Sequence, residues 1–132
     1  MSQIIHFKES PDLGQFLSDF LRPSLIAIVY FMSAYAFARW GKQLTITDVW
    51  KEKADDPSGT HNAWRAIDIR NSNLSHYEAV ELADRVNVFA TYDPVRSFLK
   101  CCLVYELDPK GGHDDHFHVQ VHERTVLDGG GF

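Results

Sequence analysis

Residues 116–122 read His-Phe-His-Val-Gln-Val-His. Neighbouring side chains of a strand point to opposite faces, so Phe117, Val119 and Val121 share one face and His116, His118, Gln120 and His122 the other. The first face is suited to a core. The second carries three histidines, which is more than a merely solvated surface requires. Residues 64–70, Trp-Arg-Ala-Ile-Asp-Ile-Arg, alternate in the same way. Ile67 and Ile69 point to the core, while Ala66 and Asp68 share the opposite face, where the small alanine leaves room beside the carboxylate.

Outward from these two strands, residues 43–50 (Gln-Leu-Thr-Ile-Thr-Asp-Val-Trp) alternate and are rich in β-branched side chains, which predicts a third strand. Residues 99–107 predict a central strand. Residues 51–60, with Pro57 and Gly59, predict a loop, and residues 108–115 a turn. Helices come earlier in the chain. Ser10 and Pro11 form a start signal, and Leu13, Phe16, Leu17, Phe20 and Leu21 fall on one helical face. Pro23 opens a second helix that stops near Gly41, a residue suited to the left-handed turn after a helix. Ser75 and Glu78 form a capping box for a third, with Ala79, Leu82, Ala83, Val86 and Phe89 as its buried stripe. The Gly129-Gly130-Gly131 tail is expected to fray. The order, helices and then strands with one helix inserted, predicts a single α+β domain over residues 1–132. Its sheet is expected to be mostly antiparallel, with the N-terminal helices packed against it.

Composition excludes several classes. At 132 residues the chain can bury a core without staples. Its net charge is -5 and its 13 Lys and Arg residues are scattered, which argues against nucleic acid as a partner. The N-terminus has no basic start followed by an apolar stretch, so no signal peptide is expected. Residues 23–38 carry no charge. A membrane span needs about 20 apolar residues, and this run is shorter, so it reads as a buried helix rather than an insertion into the bilayer. Cys101 and Cys102 are adjacent, which suits neither a structural disulfide nor a Cys-x-x-Cys metal knuckle, and both are expected to pack in a strand interior.

The histidines and Asp68 point to a metal. Catalytic zinc takes three protein ligands, typically imidazoles and a carboxylate, and keeps a fourth position open. His61 precedes Asp68 by seven residues, and the face of the last strand offers further imidazoles. Facial-triad iron sites use the same ligand types but usually space the first His and the carboxylate two apart. Calcium would want more oxygen ligands.

His61-x6-Asp68, followed by His116-Phe117-His118, resembles the LAS group of zinc peptidases, which includes lysostaphin-type enzymes, D-Ala-D-Ala peptidases and the hedgehog signalling domain. Their signature is Ser-x-His-x-x-Gly-x-Ala-x-Asp and a distal His-x-His. The stretch from His113 to Val119 is similar to penicillin-insensitive murein endopeptidases. The resemblance covers residues 44–121, with the two motifs as its specific parts. It implies a zinc cleft on the sheet, with His61, Asp68 and His118 as Zn2+ ligands and His113 and His116 as catalytic histidines. His113 is the expected base and His116 the expected donor to the oxyanion, roles that are open to exchange; Asp115 is a further acid candidate, and Asp114 or Asp115 an orienting group. Arg65 is a candidate contact for a substrate carboxylate, and Trp64 for the cleft wall. The implied activity is hydrolysis of peptide bonds in bacterial peptidoglycan, by an endopeptidase acting at D-Ala cross-links. The alternatives are a D,D-carboxypeptidase of the same fold and a catalytically silent, zinc-stabilised binding module. A phage or prophage lysis enzyme would reach the wall without a signal peptide. Two departures stand in the first motif: Trp64 occupies the glycine position and Gly59 the serine position.

Overall fold

The computed structural model describes residues 5–56, 59–71, 73–95, 101–106 and 116–127. The elements run β1 (Ile5–Phe7), α1 (Ser10–Phe16), α2 (Pro23–Trp40), β2 (Leu44–Asp48), β3 (Ala66–Arg70), α3 (His76–Phe89), β4 (Leu103–Glu106) and β5 (His116–Gln120). The five strands form one sheet in the order β1-β2-β3-β5-β4.

This is the expected α+β fold, but the sheet is mixed rather than mostly antiparallel. β1 lies parallel to β2, and the other pairings are antiparallel. The difference comes from Ile5–Phe7, a strand too short to show a period in the sequence. Two helices separate it from β2, and a crossover of that kind returns the chain in its original direction.

The helix signals have physical counterparts. Pro23 opens α2, and Gly41 ends it at φ 66°, where a Cβ would be strained. In α3 the Ser75 hydroxyl accepts from the Glu78 N–H (3.1 Å), while the Glu78 carboxylate accepts from the Ser75 N–H (2.9 Å). α1 starts one residue before the expected cap, at Glu9, whose N–H donates to Asp12. It is also shorter than its apolar stripe. The helix ends at Phe16, and Leu17 and Phe20 are exposed. Gly14 inside this short helix weakens it. Among the described residues no helix is long and apolar enough to cross a membrane.

Leu25, Ile28, Val29 and Met32 of α2, and Leu82 and Val86 of α3, pack with Ile67, Ile69, Phe117, Val119 and Val121 in one buried cluster. Phe31 and Phe89 stack at 4.4 Å between the two helices. Within the strand expected over residues 99–107, β4 begins only at Leu103, after Cys101 and Cys102; residues 99, 100 and 107 lie outside the described residues. Cys102 is buried as expected, but Cys101 is exposed, because the strand begins only at Leu103. At that edge the Asn87 side chain of α3 donates to the Leu103 carbonyl and accepts from the Leu103 N–H, both at 3.0 Å. The expected turn at 108–115 and the glycine tail lie outside the described residues.

Candidate metal centre

The register of the sheet builds the centre. β3 and β5 pair so that Asp68 stands directly opposite His118, and Arg70 opposite His116. Ile67 and Ile69 with Phe117 and Val119 hold the other face in the core, which turns Asp68 and His118 outward together. The third member arrives from the loop before β3. There the Trp64 N–H donates to the His61 carbonyl (3.0 Å) and the Arg65 N–H to the Thr60 carbonyl (2.8 Å). This tight turn requires φ 61° at Trp64, the left-handed region. It also folds His61 inward, and its side chain is only 2% exposed.

Two imidazoles converge on one carboxylate oxygen. His118 Nδ1 lies 3.0 Å and His61 Nε2 3.2 Å from Asp68 Oδ1. The candidate ligand atoms all lie within 4.8 Å of one another. His61 Nδ1 lies 3.1 Å from the Val49 carbonyl. A carbonyl can only accept, so Nδ1 carries the proton and Nε2 of the neutral ring presents a lone pair. A lone pair facing a carboxylate oxygen is repulsive unless a cation lies between them or the ring takes a second proton. The donor set therefore fits a metal ion, and the cluster could hold one.

Lys51 completes the surroundings. Its Nζ donates to Asp68 Oδ2 at 3.2 Å. Burial alone would raise the Asp68 carboxyl, but its hydrogen bond with His118 and the nearby Lys51 ammonium hold it well below the usual carboxylate range. Burial likewise works against the Lys51 charge, and Asp68 outweighs it, so the ammonium is held above its ordinary range. The carboxylate is therefore ready as an anionic ligand. Lys51 carries no motif signal; its only pointer in the sequence is its place just after β2.

No family model matches the chain, and no curated protein matches it. The site rests on its own geometry.

The other expected site residues are placed less centrally. His116 is half-buried, and strand alternation puts it on the His118 face of β5. Arg65 is half-buried with Nη1 donating to the Val121 carbonyl at 3.3 Å, so part of its guanidinium ties β3 to the end of β5. His113, Asp114 and Asp115 lie outside the described residues. Trp64 packs between Trp50 and Phe20, with ring centroids 6.0 and 5.6 Å away.

Proposed function

We propose that the chain is a zinc-dependent peptidase that hydrolyses peptide bonds in bacterial peptidoglycan, acting as an endopeptidase on D-Ala cross-links. The observation that carries this reading is the convergence of two imidazole nitrogens on Asp68 Oδ1, with the His61 proton directed away to Val49. Tetrahedral zinc with bonds of about 2.0–2.1 Å separates its ligand atoms by about 3.3 Å. The 3.0 and 3.2 Å separations are near that value. Three protein ligands leave the fourth position that catalytic zinc keeps open.

The motifs support the same reading. The LAS signature has glycine where this chain has Trp64, and Trp64 adopts φ 61°, a conformation natural to glycine. The loop thus keeps a glycine-like turn despite the indole, and His61 stays aimed at Asp68.

When bound, zinc supplies Lewis acidity toward a scissile carbonyl and makes water a stronger acid. His61, Asp68 and His118 would hold it. His116, two residues from His118 on the same strand face, is assigned as donor to the oxygen that gains charge in the transition state. His113 is assigned as the base that takes the proton from attacking water and passes it to the leaving amine. Arg65 keeps donors beyond the one used on Val121 and is assigned a secondary contact to a substrate carboxylate.

The test is metal analysis of the purified protein, with mass spectrometry of digested peptidoglycan. Stoichiometric zinc and newly released amines are expected, and His118→Ala is expected to lose both. A zinc-free protein, or a His118→Ala variant as active as the parent, would overturn the reading.

A further inference from the structure

Lys51 belongs to neither motif, yet it touches the central ligand. Resting on the reading of His61, Asp68 and His118 as a metal set, we propose that Lys51 is a positioning residue that restricts Asp68 to one-oxygen ligation and so sets the coordination number of the ion. The two oxygens of Asp68 are divided: His61 and His118 approach Oδ1, while the Lys51 ammonium holds Oδ2 at 3.2 Å. Carboxylates bind cations through one oxygen or both. With Oδ2 engaged by a cation of the protein itself, Oδ1 is the oxygen left to offer.

This lysine is held in place from both sides of its backbone. The Trp50 N–H donates to Gln15 Oε1 at 3.2 Å, and Asn62 Nδ2 donates to the Lys51 carbonyl at 3.0 Å. Asn62 is fixed in turn by its own N–H, which donates to Asp56 Oδ2 at 2.8 Å. The Lys51 side chain is only 27% exposed, unlike that of a typical surface lysine. Val49, two residues earlier, accepts the His61 Nδ1 proton, and Trp50 Nε1 donates to the Asn62 carbonyl at 3.2 Å. One three-residue segment after β2 therefore orients a histidine ligand and divides the carboxylate. Groups that orient ligands in this way tune a metal site as much as the ligands do.

The chemical consequence is selectivity. An ion held by two imidazoles and one carboxylate oxygen stays at low coordination number, which suits zinc and disfavours calcium, an ion that takes six to eight oxygens. Releasing Oδ2 would let Asp68 close on the ion with both oxygens.

Cobalt(II) is the probe, because its four-coordinate complexes absorb visible light far more strongly than those of higher coordination number. The apoprotein is loaded with cobalt, uptake is measured by dialysis, and visible spectra are compared for the parent, Lys51→Arg, Lys51→Leu and Lys51→Gln. The parent and Lys51→Arg are expected to absorb strongly. Lys51→Leu and Lys51→Gln are expected to take up as much cobalt and lose most of the visible absorbance. The two neutral variants differ in polarity, so a folding defect in one, seen by circular dichroism, leaves the other to decide. Parent-like spectra from a folded neutral variant would overturn the role of Lys51 while leaving the metal set intact. A parent that takes up no cobalt would overturn the metal reading itself, and the role of Lys51 with it.

Discussion

Replacing Trp64 separately with alanine and with glycine isolates the cost of its backbone conformation. Trp64 sits at φ 61° with its ring between Trp50 and Phe20. Both substitutions remove the ring, so both lose its two aromatic contacts, each worth about 0.5–1.5 kcal/mol. They differ in the backbone. Alanine keeps a left-handed conformation that costs an L-residue about 1–2 kcal/mol, whereas glycine adopts it freely. Glycine gives back about 0.5–1 kcal/mol through the larger freedom of its unfolded chain. At the middle of both ranges the difference favours Trp64→Gly over Trp64→Ala by about 0.75 kcal/mol, with both variants less stable than the parent. Urea denaturation followed by far-ultraviolet circular dichroism measures this, provided that m is unchanged. If Trp64→Ala proved equal to or more stable than Trp64→Gly, the claim of a strained turn holding His61 inward would be wrong.

Other outcomes follow from single contacts. Ser75→Ala removes the hydroxyl that caps α3 and is expected to destabilise the fold by about 1 kcal/mol in the same urea assay, with little change if the cap is immaterial. Glu81 is held down at about 2 by its hydrogen bond to Arg39 and then by Tyr35. Because its folded value lies below its unfolded one, its stabilisation is fully present above about pH 4.5 and is lost as the pH falls through about 2. Glu81→Gln should flatten that part of an acid-unfolding curve, and an unchanged slope would count against the pairing. Burial, followed by the charge of Cys101, pushes the Cys102 thiol up to about 12. Iodoacetamide at pH 8 should therefore label exposed Cys101 in the folded protein and reach Cys102 only after unfolding, as read by peptide mass spectrometry.

Much of the fold could be read from the sequence because burial on one face imposes a period. Ile67 and Ile69, with Phe117, Val119 and Val121, fixed which faces of β3 and β5 point inward, and the outward placement of Asp68 and His118 follows from that alone. Gly41 and the Ser75–Glu78 pair were legible because each satisfies a local backbone need. β1 is not legible, since three residues carry no period, and without it the pattern predicts a mostly antiparallel sheet. The early end of α1 was hidden by an apolar stripe that continues past the helix as exposed Leu17 and Phe20. Lys51 is not legible in the sequence, because its contact with Asp68 spans 17 residues and belongs to no motif or repeat. His61 was singled out by spacing, but the carbonyl that fixes its proton belongs to Val49, whose apolar side chain gives no hint of that role.

The amide of Asn87 does for one residue of β4 what a neighbouring strand would do. It fills both the donor and the acceptor of Leu103 on the side facing away from β5. An incoming extended segment would have to evict that amide first, giving up two hydrogen bonds worth about 1 kcal/mol each. The sheet is thereby guarded against growth from this side, an end strand being the usual place where one protein chain recruits another.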